Sequence, residues 1–152
     1  MADLYYEILP EFRDPSTWPF LQTLGTRKYV DDVGFDLPAA CNLMILPSRF
    51  IDVPVGVRIA LPRGYWGRIT GRSSTLRKRG LLIVEGVLDG GYRGPLFLGC
   101  YNLTSLPVKI EMGERLGQLI IGRNYASGIR WLMVENLPGS DRGSEGFGST
   151  GR

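Results

Sequence analysis

Twenty-one glycines and ten prolines run through 152 residues and cut the chain into pieces too short for most helices. Between these breaks the apolar residues alternate instead of recurring at helical spacing. In "GVRIALP", Val57, Ile59 and Leu61 share one face. In "PVKIEMGERLGQLII", Val108, Ile110 and Met112 alternate with Lys109 and Glu111. Past a turn at 113–115, Leu116, Gln118 and Ile120 oppose Gly117, Leu119 and Ile121. "PLFLGCYNL" and "IRWLMVENL" read as further strands. A period of two, punctuated this often by turn residues, predicts a sandwich, a jelly roll or a small barrel. No internal repeat and no linker divides the chain.

The length suits one domain with a real core. At 43% hydrophobic and 22% charged residues the composition is ordinary for a globular protein. No apolar run approaches the roughly 20 residues of a membrane span. The opening "MADLYYEILPEF" has acids and no basic region, so no secretory signal is expected. Cys41 and Cys100 lack zinc-ligand spacing and read as free thiols of a reducing compartment. Histidine is absent, which removes His-based triads and the usual zinc ligand. Chemistry is left to carboxylates, hydroxyls, guanidinium groups, backbone N–H groups and a hard cation. The net charge of +3 leans weakly toward an anionic partner.

One short helix fits "GRSSTLRKRGLL". Ser73 or Ser74 would cap its start, Gly80 would end it, and Arg77, Lys78 and Arg79 would sit in its last turn. Its first N–H groups, beside Arg72, Ser73 and Ser74, suit a phosphate. In "EGVLDGGYRGPLF", turn chemistry at Asp89, Gly90 and Gly91 predicts a hairpin with an acid at its bend and Tyr92 opening the next strand. The chain finishes on "DRGSEGFGSTGR", where four glycines surround a single aromatic, Phe147. Such a segment has little apolar area to offset its ordering entropy, so it is expected to be mobile on its own.

Five segments, in order and suitably spaced, resemble the five motifs of the trimeric dUTPase family: "VGFDL" (33–37), "GRSS" (71–74), "GVLDGGYRG" (86–94), "GERLGQLI" (113–120) and "RGSEGFGSTG" (142–151). The resemblance runs from about residue 30 to the C-terminus and implies an all-β, jelly-roll-like β-barrel with one short helix after the second motif. Residues 1–140 would form the core, and 141–152 a mobile arm that closes over the active site. The implied reaction is Mg²⁺-dependent hydrolysis of dUTP to dUMP and pyrophosphate in pyrimidine deoxynucleotide metabolism.

The roles follow by resemblance, each with a physical reason. Asp89 would activate the attacking water for in-line displacement at the α-phosphorus, a task open to a carboxylate where histidine is missing. Arg72, Ser73, Ser74 and Gln118 would hold the α- and β-phosphates. Mg²⁺ would bridge phosphate oxygens, keep several waters, and be touched through water by Asp36. Backbone groups around Gly86, Val87 and Leu88 would pair with uracil and leave polar groups unpaired against cytosine. Tyr92, under the sugar, would exclude a 2′-hydroxyl. From the arm, Phe147 would stack on the base and Arg142 would pair with the γ-phosphate. Gly148, Ser149 and Thr150 would wrap the same phosphate. The resemblance further implies a homotrimer with shared sites: motifs one, two and four from one subunit, the hairpin from a second and the arm from a third. It places the enzyme in the cytoplasm, or the host cytoplasm for a viral source, with no nucleic-acid or membrane partner.

Departures from the pattern are Val33, Phe35 and Gly71, a shorter stretch before Asp89, and a first 30 residues that match poorly. A dCTP deaminase shares the core but needs a glutamate ten residues past the hairpin aspartate, where this chain has Gly99. A module binding single-stranded nucleic acid would interleave aromatic and basic residues on one strand, which is not seen here. A regulatory dUTP-binding protein on the same fold is the other alternative.

Overall fold

The computed structural model describes residues 2–140. Its ten strands are β1 (Tyr5–Ile8), β2 (Gly34–Pro38), β3 (Leu43–Ile45), β4 (Phe50–Ala60), β5 (Tyr65–Gly71), β6 (Leu81–Ile83), β7 (Gly86–Leu88), β8 (Pro95–Asn102), β9 (Val108–Ile110) and β10 (Arg115–Arg123). The one α-helix among the described residues, α1, covers Ser73–Arg79. One sheet has the order β1-β4-β8-β6, a second β2-β10-β5-β7, and β3 pairs with β9 as a ribbon. Every recorded pairing is antiparallel. This is the expected all-β jelly roll with one short helix after the second motif.

The core lies between the sheets, where alternation turns one face of each strand inward. Val53, Val55, Val57 and Ile59 of β4 meet Leu96, Leu98 and Cys100 of β8, with Leu37, Ile69, Leu116 and Leu119 from the other sheet. The first 30 residues close one end of this core. Leu21, from a 3₁₀ turn at Pro19–Thr23, is fully buried, and the Trp18 indole N–H donates to the Ala40 carbonyl at 2.7 Å. Gly56 makes room for them. Its φ is +84°, and an added Cβ would lie 3.1 Å from Ala40 Cβ and from Leu21 Cδ1.

Four local expectations are corrected. Residues 129–137 form no strand: a strand needs another backbone beside it, and within one chain no sheet edge reaches them. Trp131 there is 97% exposed. The segment 86–94 is not a hairpin. β7 pairs with β5, whereas β8 pairs with β4 and β6, so the turn after Leu88 carries the chain from one sheet to the other. Tyr92 lies in that connection and the next strand starts at Pro95. The N-cap of α1 is Arg72 with no side-chain cap, which puts Ser73 and Ser74 inside the first turn. Gly80 ends the helix as expected, with φ +63° and its N–H on the Leu76 carbonyl. Finally, a register shift between Arg115 and Gly117 rotates Leu116 into the core, away from the face of Gln118 and Ile120. Cys41 and Cys100 are both free, as expected; Cys100 is buried and Cys41 partly so.

Candidate active site

The outward face of the second sheet brings three distant motifs together. Register places Asp36 of β2 opposite Gln118 of β10, and Gln118 opposite Thr70 of β5. β5 then hands directly to α1. A buried bond fixes that junction: the Thr75 hydroxyl donates to the Leu116 carbonyl at 2.6 Å, and the Arg72 N–H donates to the same carbonyl at 3.4 Å. Arg72, Ser73 and the first turn of α1 are thereby held against β10.

Asp36 is gripped by two guanidinium groups, Arg72 Nε at 2.8 Å and Arg115 Nη1 at 3.1 Å. Arg72 Nη1 also donates to the Arg115 carbonyl at 3.2 Å, which aligns the pair. The Gln118 amide donates to the Gly71 carbonyl at 3.2 Å. Gly34 is the floor beneath it, since a Cβ there would lie within contact of Gln118 Cβ, at 3.2 Å, and overlap the amide. Asp36, Arg72, Ser73 and Gln118 line one cleft of about 790 Å³, a size that suits a nucleotide. Ser74 is half-buried in the same first helical turn.

Sequence reasoning missed part of this cleft. Arg115 falls within a quoted motif but received no role, and Thr26, Arg27, Lys28 and Tyr29 come from the poorly matching N-terminal stretch. No periodicity marks those residues; the closeness of Arg115 to Asp36 follows only from the pairing of β2 with β10. A second cavity, of about 440 Å³, lies between β1, Leu24, Phe35 and Ile121. Its walls are mainly apolar and lack a converging set of polar groups.

Asp89, Gly86, Val87, Leu88 and Tyr92 are not brought to the cleft. β7 is the edge strand of its sheet, with Leu88 opposite Gly67, so Asp89 follows toward the Tyr65 end of β5. Arg72 lies at the other end, on the order of 20 Å away along the strand. The turn is well defined nonetheless. The Tyr92 N–H donates to the Asp89 carbonyl at 2.9 Å, and the Tyr92 hydroxyl donates to the Pro95 carbonyl at 2.9 Å. The tyrosine ring lies across Gly94, where a Cβ would come 2.6 Å from Cζ. Arg142, Phe147, Gly148, Ser149 and Thr150 lie outside the described residues.

Among the described residues no group of three or more His, Cys, Asp or Glu side chains could hold a metal by itself, and no helix is long and apolar enough to cross a membrane. The donor set suits a hard cation brought by phosphates, because the partly exposed carboxylate of Asp36 can reach such an ion's waters.

The molecule is an all-β jelly roll with several cationic side chains lining a cleft on the outer face of one sheet. Residues 22–151 match the family model described as dUTPase. The deoxyuridine 5'-triphosphate nucleotidohydrolase of Leifsonia xyli is 41% identical over 123 residues, covering 79% of this chain and 80% of that protein. That of Corynebacterium diphtheriae is 40% identical over 131 residues, covering 84% and 85%. A structure of the dUTPase of Staphylococcus bacteriophage 80alpha, a point mutant with dUpNHpp, superposes with a TM-score of 0.84 at 25% identity and covers all of both chains. The chain belongs to the dUTPase family.

Proposed function

We propose that this protein hydrolyses dUTP to dUMP and pyrophosphate. The observation that carries this reading is the cleft itself, which draws Asp36, Arg72, Ser73 and Gln118 from three sequence-distant motifs onto one sheet face. The names of the relatives, and the dUTP analogue dUpNHpp with the phage enzyme, support the substrate. Arg72, Ser73, Ser74 and Gln118 hold the α- and β-phosphates; Arg72 is already oriented by Asp36 and by the Arg115 carbonyl. Little reorganisation is then needed when the anion arrives. A bound Mg²⁺ would supply charge neutralisation on the phosphates. Asp36 would meet the water shell of that ion. The water that attacks the α-phosphorus is oriented and deprotonated by Asp89.

The position of β7 supports the proposed reading of the base. As an edge strand it has one unpaired backbone rim, and Gly86, Val87 and Leu88 can offer its N–H and C=O groups to uracil. Cytosine reverses that pattern. The Tyr92 ring, fixed by Pro95 and Gly94, forms the wall under the sugar.

Because Asp89 and the cleft stand apart in one chain, a complete site takes Asp89 from a second subunit. A homotrimer meets this need. The outer face of the first sheet supports assembly, since Phe50, Leu82, Val84 and Phe97 are each more than 40% exposed there. The exposed apolar run at 129–137 supports it as well. The proposed arm, 141–152, would close over the nucleotide around the core of 1–140. The proposed location is the cytoplasm, or the host cytoplasm for a viral source, where this substrate occurs.

The test is product analysis with Mg²⁺ and dUTP, dCTP, UTP and dTTP offered separately. Pyrophosphate and dUMP from dUTP alone are expected. Ammonia from dCTP would overturn the reading in favour of a deaminase, although Gly99, packed under the Phe50 ring, supplies no carboxylate for that chemistry. Binding of dUTP without turnover would make the protein a regulatory one.

A further inference from the structure

The cleft has a second cationic wall that the motifs leave without a role. Residues 26–29 line it together with Asp36, Arg72 and Gln118. Arg27 is held in place: its Nη1 donates to the Asp32 carbonyl at 2.9 Å, and its guanidinium carbon lies 5.3 Å from the Phe35 ring centroid. A guanidinium has five N–H donors, so this anchoring leaves donors to spare. Lys28 follows, its ammonium 5.0 Å from the centre of the exposed Tyr29 ring. The turn is closed by Asp32, whose Oδ2 accepts the Tyr29 N–H at 3.0 Å while its own N–H donates to the Tyr29 carbonyl at 3.2 Å.

The charges of the cleft do not balance internally. Arg27, Lys28, Arg72 and Arg115 face two carboxylates, Asp32 and Asp36. Asp36 is already shared between Arg72 and Arg115, and Asp32 is turned into its own loop. Two positive charges are left over, one from Arg72 and Arg115 beside Asp36 and one from Arg27 and Lys28 beside Asp32. A triphosphate running past Arg72 and Gln118 would meet Asp36, which repels an unshielded phosphate. Further cations lining the same cleft offset that repulsion.

We propose that Arg27 and Lys28 bind the terminal phosphate of the nucleotide and so make the site read the length of the phosphate chain. This rests on the reading that the cleft takes dUTP. In it the segment before β2 has a second task beyond closing the core: it adds to the selection of triphosphate over diphosphate and monophosphate. Arg27 supplies direction through its fork of donors, and Lys28 supplies a movable point charge.

The test compares the full-length protein with its Arg27→Gln/Lys28→Gln variant at low and high ionic strength. The measurements are dUTP turnover and inhibition by dUDP and dUMP. The expected result is a rise of about ten-fold in KM for dUTP, a change in kcat below about two-fold, and an unaltered inhibition constant for dUMP. The salt dependence of KM should flatten in the variant. The swap Arg27→Lys/Lys28→Arg should keep most of the affinity. An unchanged KM for dUTP would overturn the proposal, and so would equal losses for dUTP and dUMP, which mean that the loop merely supports the cleft. Should the double variant fail to fold, Lys28→Gln alone serves, because its ammonium lies over the exposed Tyr29 ring. An unmodified protein that neither binds nor hydrolyses dUTP would remove the underlying reading as well, an outcome distinct from normal hydrolysis with an indifferent variant.

Discussion

Single residues here carry separable tasks. Asp89 forms no part of the proposed phosphate-binding cleft in its own chain, so Asp89→Asn should retain nucleotide affinity while kcat falls by about 10²–10⁴-fold. Parallel binding and turnover assays on the variant check this, and an unchanged rate would strip Asp89 of its role. Thr75 works at one remove. Its buried hydroxyl ties α1 to the Leu116 carbonyl, so Thr75→Val should lower stability by about 1 kcal/mol in denaturant titration. Raised KM should accompany the loss, since Arg72 and Ser73 are positioned by the same junction. Cys100 reports on the core. Burial, reinforced by the charge of Glu114 and partly offset by Arg79, pushes its thiol up from 9.0 to about 11. The folded state thus resists ionisation that the unfolded chain permits. Its contribution is intact below pH 9 and is lost as pH rises toward 11, by about 2–3 kcal/mol. Melting curves from pH 8 to 11 should show that decline, and Cys100→Ala should flatten it.

At the level of elements, β4 shows how one glycine admits a whole segment. Gly56 has a left-handed φ and touches Leu21 and Ala40, and its carbonyl accepts the Leu9 N–H at 3.0 Å. Gly56→Ala should therefore destabilise the fold by about 1–2 kcal/mol through backbone conformation alone, with crowding added. A midpoint shift in urea with an unchanged slope would bear this out. The central strands and the short helix were legible in the sequence, because alternation at Val57, Ile59 and Leu61 and the glycine at position 80 are local properties. What was not legible depends on partners distant in the chain. Residues 129–137 have the composition of a strand, but a strand exists only where another backbone runs alongside. Turn chemistry at Asp89 announced a reversal without saying whether the chain returns beside itself or crosses to the other sheet. Leu116 left its expected face because of an irregularity in pairing with β2. The motif residues Asp36, Arg72, Ser73 and Gln118 were readable as a set, whereas Arg27 and Lys28 enter the cleft through a loop with no periodic signature.

For the whole molecule, the separation between Asp89 and the cleft makes a specific demand. If Asp89 of one subunit serves Arg72 of another, two inactive variants should repair each other. Asp89→Asn and Arg72→Ala, co-refolded in equal amounts, should regain up to about a quarter of the normal activity, the chance that a given site draws both intact residues. Simple mixing of the assembled proteins is the control. No recovery after co-refolding would place both residues in one subunit's site and contradict the shared arrangement.

The ion pair between Asp36 and Arg115 joins positions 79 residues apart. Among the described residues β2 is an edge strand with β10 as its one neighbour. During vectorial synthesis at the usual elongation rate, β2 leaves the ribosome about 4–16 s before the strand that will cover it. Throughout that interval the nascent chain exposes an unpaired, partly apolar edge and has no cleft. Asp36 and Pro38, a charge and a missing N–H within five residues, discourage a neighbouring nascent chain from pairing there first. The carboxylate that lines the cleft thus places a charge on an open strand edge before any cleft exists.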